Sequence, residues 1–139
     1  MNSDTIESAA ASVAGIDTDG LDAESAATLA VMTRHAQAMA SRDGDVIAAD
    51  YAENTVVFTT FADRPVIGRQ GIADWVNANM ERFEEALATP DGQPPVMKEF
   101  TAKGEYGYLV VDLGDGRYGT ETYHVRNNEI LFESATFFL

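Results

Sequence analysis

The sequence predicts one α+β domain, with helices laid on one side of an antiparallel sheet. Three observations carry that reading. Two long segments in the first two thirds place apolar residues at helical spacing, and the last third is a series of β-branched and aromatic runs separated by turn residues. A single strand-like run interrupts the helices. Helices segregated to one side of an antiparallel sheet are the α+β layer solution. At 139 residues, two domains would each be too small to bury a useful core.

Residues 1–22 read as an acidic extension. Asp4 and Glu7 have capping-box spacing, and Ile6, Ala10 and Val13 share one face of a short helix that Gly15 and Asp19-Gly20 stop. The domain is expected over 23–139. Its first helix runs from about Ala23 to Ser41 behind Asp22 as N-cap, with Leu29, Val31, Met32, His35, Ala36 and Met39 on one arc. Arg42-Asp43-Gly44-Asp45 breaks it, and a second helix from about Asp45 to Tyr51 puts Ile47 and Tyr51 on a common face.

Asn54 to Thr60 is β-branched and aromatic and reads as a strand, with a short strand from Arg64 to Ile67. The third helix, Arg69 to about Leu87, has Ile72, Trp75, Val76, Met80 and Phe83 inside and Asp74, Glu81, Glu84 and Glu85 outside. A Pro- and Gly-containing loop, Thr89 to Pro95, leads to strands Val96–Lys103, Tyr106–Leu113, Arg117–Arg126 and Glu129–Leu139. Their turns are Lys103-Gly104-Glu105, Gly114-Asp115-Gly116 and Asn127-Asn128, the last suited to a type I′ hairpin. A strongly curved sheet wrapped around a long helix would leave an apolar cavity between them.

Composition narrows the function classes. The formal net charge is −14, and the nine Lys and Arg are scattered singly, which disfavours nucleic acid and anionic membrane as partners. With no cysteine, thiolate nucleophiles and Cys-ligated metals are excluded. The only histidines, His35 and His124, have no ligand spacing around them, so neither metal nor cofactor is expected. Residues 1–24 carry six acidic and no basic residues, unlike a signal peptide, and a cytoplasmic protein is the default expectation.

Arg42-Asp43-Gly44-Asp45, Asp50-Tyr51-Ala52-Glu53-Asn54 and Ile67-Gly68-Arg69-Gln70-Gly71-Ile72, in that order around a strand, resemble the nuclear-transport-factor-2-like (NTF2-like, SnoaL-like) superfamily. The terminal meander, with Tyr123-His124-Val125 and Asn127-Asn128-Glu129-Ile130, resembles the same superfamily. The likeness covers residues 23–139 and implies a cone: three helices packed on a strongly curved antiparallel or mixed sheet. It implies no single activity, since the superfamily includes isomerases, dehydratases, cyclases, epoxide hydrolases and non-catalytic proteins.

His35 is the first candidate for chemistry. It reads either as a core histidine with one partner or as a pocket-facing acid or base. The resemblance places it near the helix-one tyrosine that polarises the substrate carbonyl in ketosteroid-isomerase-like relatives. It places Glu121 near the second acidic residue of that site, and puts Thr59 where those enzymes hold their proton-shuttling aspartate. His35 and Glu121 are therefore expected as an acid–base pair, reading alternatively as a core residue and a solvated face.

The candidate ligand-binding residues are Thr59, Trp75, Asn79, Tyr123, Glu133 and Phe137. Asn79 sits in the third helix's inner arc. Tyr123 shares the inward set with Glu121, and Leu131, Glu133, Ala135 and Phe137 form an inward set on the last strand. Three functions follow: an apolar cavity binding a small hydrophobic ligand, a cofactor-independent dehydratase, isomerase or cyclase acting on a small carbonyl or hydroxyl compound, and a structural dimerisation domain. Tyr106, Tyr108, Tyr123 and Phe132 are too many apolar groups for one sheet face, so a homodimer through the outer face is expected. Light scattering at micromolar concentration checks this, and a monomer refutes it.

Overall fold

The computed structural model describes residues 18–139, so the helix expected around Ile6, Ala10 and Val13 lies outside the described residues. Helix α1 spans Ala23–Met39 and starts on Asp22, whose carboxylate accepts the Ser25 N–H at 2.8 Å. Helix α2 is Gly44–Ala48, capped by Asp43. Strand β1 (Tyr51–Thr59) and the short β2 (Val66–Ile67) lead into α3 (Gly68–Ala86). After a 3-10 turn at Pro90–Gly92 come β3 (Val96–Lys103), β4 (Tyr106–Gly114), β5 (Arg117–Arg126) and β6 (Glu129–Phe138).

The six strands form one sheet in the order β2-β1-β6-β5-β4-β3. All neighbours are antiparallel except β1 and β6, which run parallel, so the sheet is mixed. The parallel pair exists because α2 and β1 come from the helical half of the chain, whereas β6 ends the meander. Asn127 and Asn128 both take positive φ, as the predicted two-residue turn requires.

Helix α1 is tied across the sheet's far side by polar and apolar contacts together. Thr28 Oγ1 donates to the Gly104 carbonyl at 2.6 Å, and the Gly104 N–H donates to Ser25 Oγ at 2.8 Å. Both hydroxyl residues are buried, so these bonds satisfy groups that would otherwise destabilise the core. Gly107 of β4 lets Met32 lie directly on the sheet, because a Cβ there would run into the thioether. The α1 core residues Leu29, Val31 and Met32 meet Ile47, Ile72, Val125 and Ile130 in one cluster.

Three local expectations are overturned. Tyr51 does not share a helical face with Ile47: α2 stops at Ala48, and Tyr51 opens β1 opposite Ile130. The Asp50 carbonyl accepts the Ile130 N–H at 2.9 Å, which draws the chain into the sheet at Tyr51, three residues before the expected Asn54. Glu84, expected outside, is 3% exposed and pairs with Arg42 at 2.6 Å, because Arg42 takes positive φ at the end of α1 and points back at α3. Leu131 leaves the inward set. The register shifts between His124 and Val125, so Val125 faces Ile130, His124 faces Phe132, and Leu131 is the extra residue of a bulge.

Tyr123 lies on the inner side of β5, as its inward set with Glu121 predicts, and is 2% exposed. The outer face instead shows Tyr106 stacked on His124 and Tyr118 stacked on Phe138. No helix among the described residues is long and apolar enough to cross a membrane.

Candidate functional site

Between α1, α3 and the concave side of the sheet lies a cavity of about 160 Å³. Its walls are mostly apolar: Met32, Met39, Val76, Leu109, Val111 and Leu113 are among them, and Trp75, Phe83 and Phe137 add aromatic faces. The polar lining is confined to His35, Tyr51, Thr59, Glu121, Tyr123 and Glu133, with no Lys or Arg among the lining residues.

Three strands and one helix bring those groups together. Glu121 and Tyr123 point inward from β5 at alternate positions, and Glu133, paired with Tyr123 across the ladder, points inward from β6. The bulge at Leu131 is what keeps Glu133, Ala135 and Phe137 in phase with Ile130 on the inner side. Tyr51 enters from the start of β1, and His35 from the middle of α1.

The polar groups form two hydrogen-bonded sets side by side. The Tyr51 hydroxyl donates to Glu133 Oε1 and lies 3.3 Å from His35 Nε2. The Tyr123 hydroxyl donates to Glu121 Oε1 at 2.5 Å. The Glu121 carboxyl stands beside Glu133 in the cavity lining, and like charges that close disfavour ionisation of both. Burial and the neighbouring Glu121 charge push the Glu133 carboxyl well above its ordinary range. Burial, then Glu133, pushes the Tyr51 hydroxyl up, and burial with Glu121 does the same to Tyr123. Both tyrosines are therefore protonated at neutral pH, and the Glu133 site favours the acid form.

On its other side, His35 turns Nδ1 toward Asp50 Oδ2 at 3.8 Å, and Asp50 Oδ1 accepts Arg34 Nε at 2.5 Å. Burial raises the Asp50 carboxyl, but the pull of His35 and Arg34 outweighs it and holds the group below its ordinary value.

The expected direct pair of His35 with Glu121 does not form. Tyr51 and Glu133 stand between them, and the carboxylate facing His35 is Asp50. Thr59, Trp75, Tyr123, Glu133 and Phe137 line the cavity with His35 and Glu121. Asn79 does not. Its amide donates to the Trp75 carbonyl one turn back at 2.8 Å and accepts from Arg82, so its polarity is met on the flank of α3.

Sequence reasoning missed Tyr51 and Asp50 as site residues. The signal was present, since both sit in the phrase that carries the family resemblance, but reading Tyr51 as helical turned it away from the cavity. Among the described residues no cluster of His, Asp and Glu could hold a metal ion.

No family model and no curated protein sequence matches the chain. Solved structures do. A candidate ketosteroid isomerase from Kribbella flavida is 18% identical, with TM-score 0.59 over 84% of this chain and 81% of that one. An epoxide hydrolase from M. tuberculosis, described as LEH-like, is 12% identical, with TM-score 0.59 over 83% and 85%. An NTF2-like protein of unknown function from Mesorhizobium loti is 17% identical, with TM-score 0.61 over 85% and 96%. Helix order, mixed sheet and cavity together show that the chain has the fold of the NTF2-like superfamily.

Proposed function

We propose that the cavity takes a small, largely apolar carbonyl or hydroxyl compound and that Glu121 and Glu133 move a proton on it, as in a cofactor-independent isomerase or dehydratase. The observation that carries this reading is that the Glu121 and Glu133 carboxyls line one apolar cavity, each accepting a hydrogen bond from a tyrosine. Two acids side by side, one partly buried and one fully, cost the fold stability, and acid–base sites are where such pairs occur. The similar structures carry different chemistries on one fold, so the reading rests on the site.

The chemistry balances within the pair. Glu121, as carboxylate, accepts the proton from carbon beside the carbonyl; the C–H electron pair forms the enol double bond. The oxygen that gains charge takes the proton of Glu133. The pair ends with the one proton it started with, and return to a different carbon completes an isomerisation. Thr59 supplies no carboxylate at the end of β1, so among the described residues this pair is the only acidic couple lining the cavity.

Volume limits the substrate. A cavity of about 160 Å³ compares with one that holds benzene, and falls below the roughly 300–1,000 Å³ of drug-sized sites. A single ring or a short branched chain fits better than a fused-ring steroid.

The test is exchange of α-hydrogens for deuterium in small cyclic ketones, followed by NMR with the purified protein in D2O. Exchange above the buffer rate is expected, lowered by about 10²-fold or more in Glu121→Gln and Glu133→Gln. Ketone binding without exchange would favour the second reading, a pure binding cavity, which the missing carboxylate at Thr59 supports. Neither binding nor exchange would sink the proposal.

A further inference from the structure

His35 Nδ1 and Asp50 Oδ2 face each other 3.8 Å apart, both buried, and neither has a hydrogen-bond partner within the described chain. That is the one gap in an otherwise continuous run of polar contacts. Asp50 leads through His35 and Tyr51 to Glu133, beside which Glu121 lines the cavity. Asp50 and His35 are each 5% exposed, but the Arg34 side chain that grips Asp50 is 52% exposed, which puts the Asp50 end of the run at the surface.

We propose that Asp50 and His35 form the solvent-side end of a buried proton relay that loads and unloads the Glu121–Glu133 pair through the Tyr51 hydroxyl. The proposal rests on the acid–base reading of that pair and adds residues and a path to it. His35 acts here as a relay residue and Asp50 as a positioning residue.

The polarity of the run follows from its ends. Asp50 accepts only, so it holds the imidazole as the Nδ1–H tautomer and leaves the Nε2 lone pair toward Tyr51. Glu133, in its acid form, can donate to the Tyr51 oxygen while Tyr51 donates to Nε2. One concerted step breaks the Glu133 O–H bond and forms a new Tyr51 O–H. It breaks the old Tyr51 O–H and forms Nε2–H. Glu133 is then a carboxylate and His35 an imidazolium beside Asp50, with no other reactant needed. Closing 3.8 Å to hydrogen-bonding distance is what the new charge favours.

The groups facing His35 are consistent with this traffic. Arg34 and Asp50 lie on one side, Tyr51 and Glu133 on the other, and Tyr123 packs edge-on at 6.1 Å with Glu121 behind it. The α3 side of the cavity presents Ile72, Trp75, Val76 and Phe83, none of which titrates here. Glu121 is only partly buried, whereas Glu133 is 4% exposed, and the hydrogen-bonded run from Glu133 outward goes through Tyr51 and His35.

The experiment is NMR on the labelled full-length protein, which needs no substrate. Imidazole 15N shifts report the His35 tautomer, and the 13C carboxyl shift reports Glu133. In wild type the ring is expected as Nδ1–H, and the two signals are expected to move over a shared pH step. Tyr51→Phe should split that step into two separated by about one pH unit or more. Asp50→Asn, whose amide can donate to Nδ1, should shift the ring toward the Nε2–H tautomer and serves as the second variant if Tyr51→Phe does not fold. A wild-type ring found as Nε2–H overturns the relay, because Nε2 could then accept nothing from Tyr51. So does a common step that survives in Tyr51→Phe. Ketone exchange is measured separately, so a failed relay and a failed acid–base site give different results.

Discussion

Glu133→Gln is expected to remove the loss of stability that wild type shows as pH rises, leaving the variant the more stable protein in mild alkali. Burial, with the charge of Glu121 beside it, raises the folded-state Glu133 carboxyl well above its ordinary value of 4.5. In the unfolded chain, the same group ionises near that ordinary value. Between the two, the folded state binds a proton that the unfolded state has released, so each pH unit there removes about 1.4 kcal/mol of stability. The contribution is fully present below about pH 4.5 and gone once pH passes the raised value. Glutamine fills the same space, can accept from Tyr51 and donate to Glu121, and titrates nowhere. Urea denaturation of both proteins between about pH 5 and pH 9 checks this, through the difference between the two curves. Parallel curves would mean that Glu133 ionises at its ordinary pH, and would remove the basis for a carboxyl held in its acid form by burial and Glu121.

Gly44→Ala is expected to destabilise the domain by about 1–3 kcal/mol, a drop of roughly 5–10 °C in Tm. Gly44 opens α2 against α3, and its N–H donates to Asn77 Oδ1 at 2.9 Å. A Cβ there would overlap the Ala73 carbonyl oxygen and sit 2.7 Å from Asn77 Oδ1. The obstruction at Ala73 is backbone, so relief requires α2 to move away from α3, loosening Ile47 and Ala48 as well. Gly71→Ala gives the contrast. It lies within α3 with only Val66 Cγ1 near, at 3.9 Å, so alanine there should stabilise by about 0.5–1 kcal/mol through helix propensity. Thermal scans of the two variants beside wild type read both signs. Equal Tm values for Gly44→Ala and wild type would mean that the α2–α3 contact yields easily.

The long periodic elements were legible in the sequence because burial and local propensity agree there. Every strand of the meander and both long helices read correctly to within a few residues, and so did the inward phase of Glu121 and Tyr123. Tyr51 shows where local reading stops. Four residues after Ile47, it fits a helical face as well as a strand, and only a hydrogen bond from Ile130, far along the chain, decides between them. Glu84 fails for a related reason: on its own helix it belongs to a charged stripe, and only Arg42 on another element explains its burial. Leu131 marks the third limit. Strict alternation assigns it inward, and a bulge of one residue, which no composition signals, hands that role to Ile130 while keeping Glu133 in place. The site residues came from resemblance and alternation together, and the one that connects them, Tyr51, came from neither.

The parallel pairing of β1 with β6 has a consequence for how the molecule comes to exist. Tyr51 and Glu133 are separated by 82 positions, and the strand that carries Glu133 is the last described element of the chain. During synthesis, helices α1 to α3 emerge with β1 and can collapse early, but β1 then has only the two-residue β2 beside it. Its other edge stays bare until β6 has left the ribosome. Long-range parallel pairing of this kind is slow to close and exposes strand edges while it waits. The carboxyl cluster is therefore assembled only when β6 arrives, by the same closure that seals the edge, and no nascent fragment ending before β6 can carry the site.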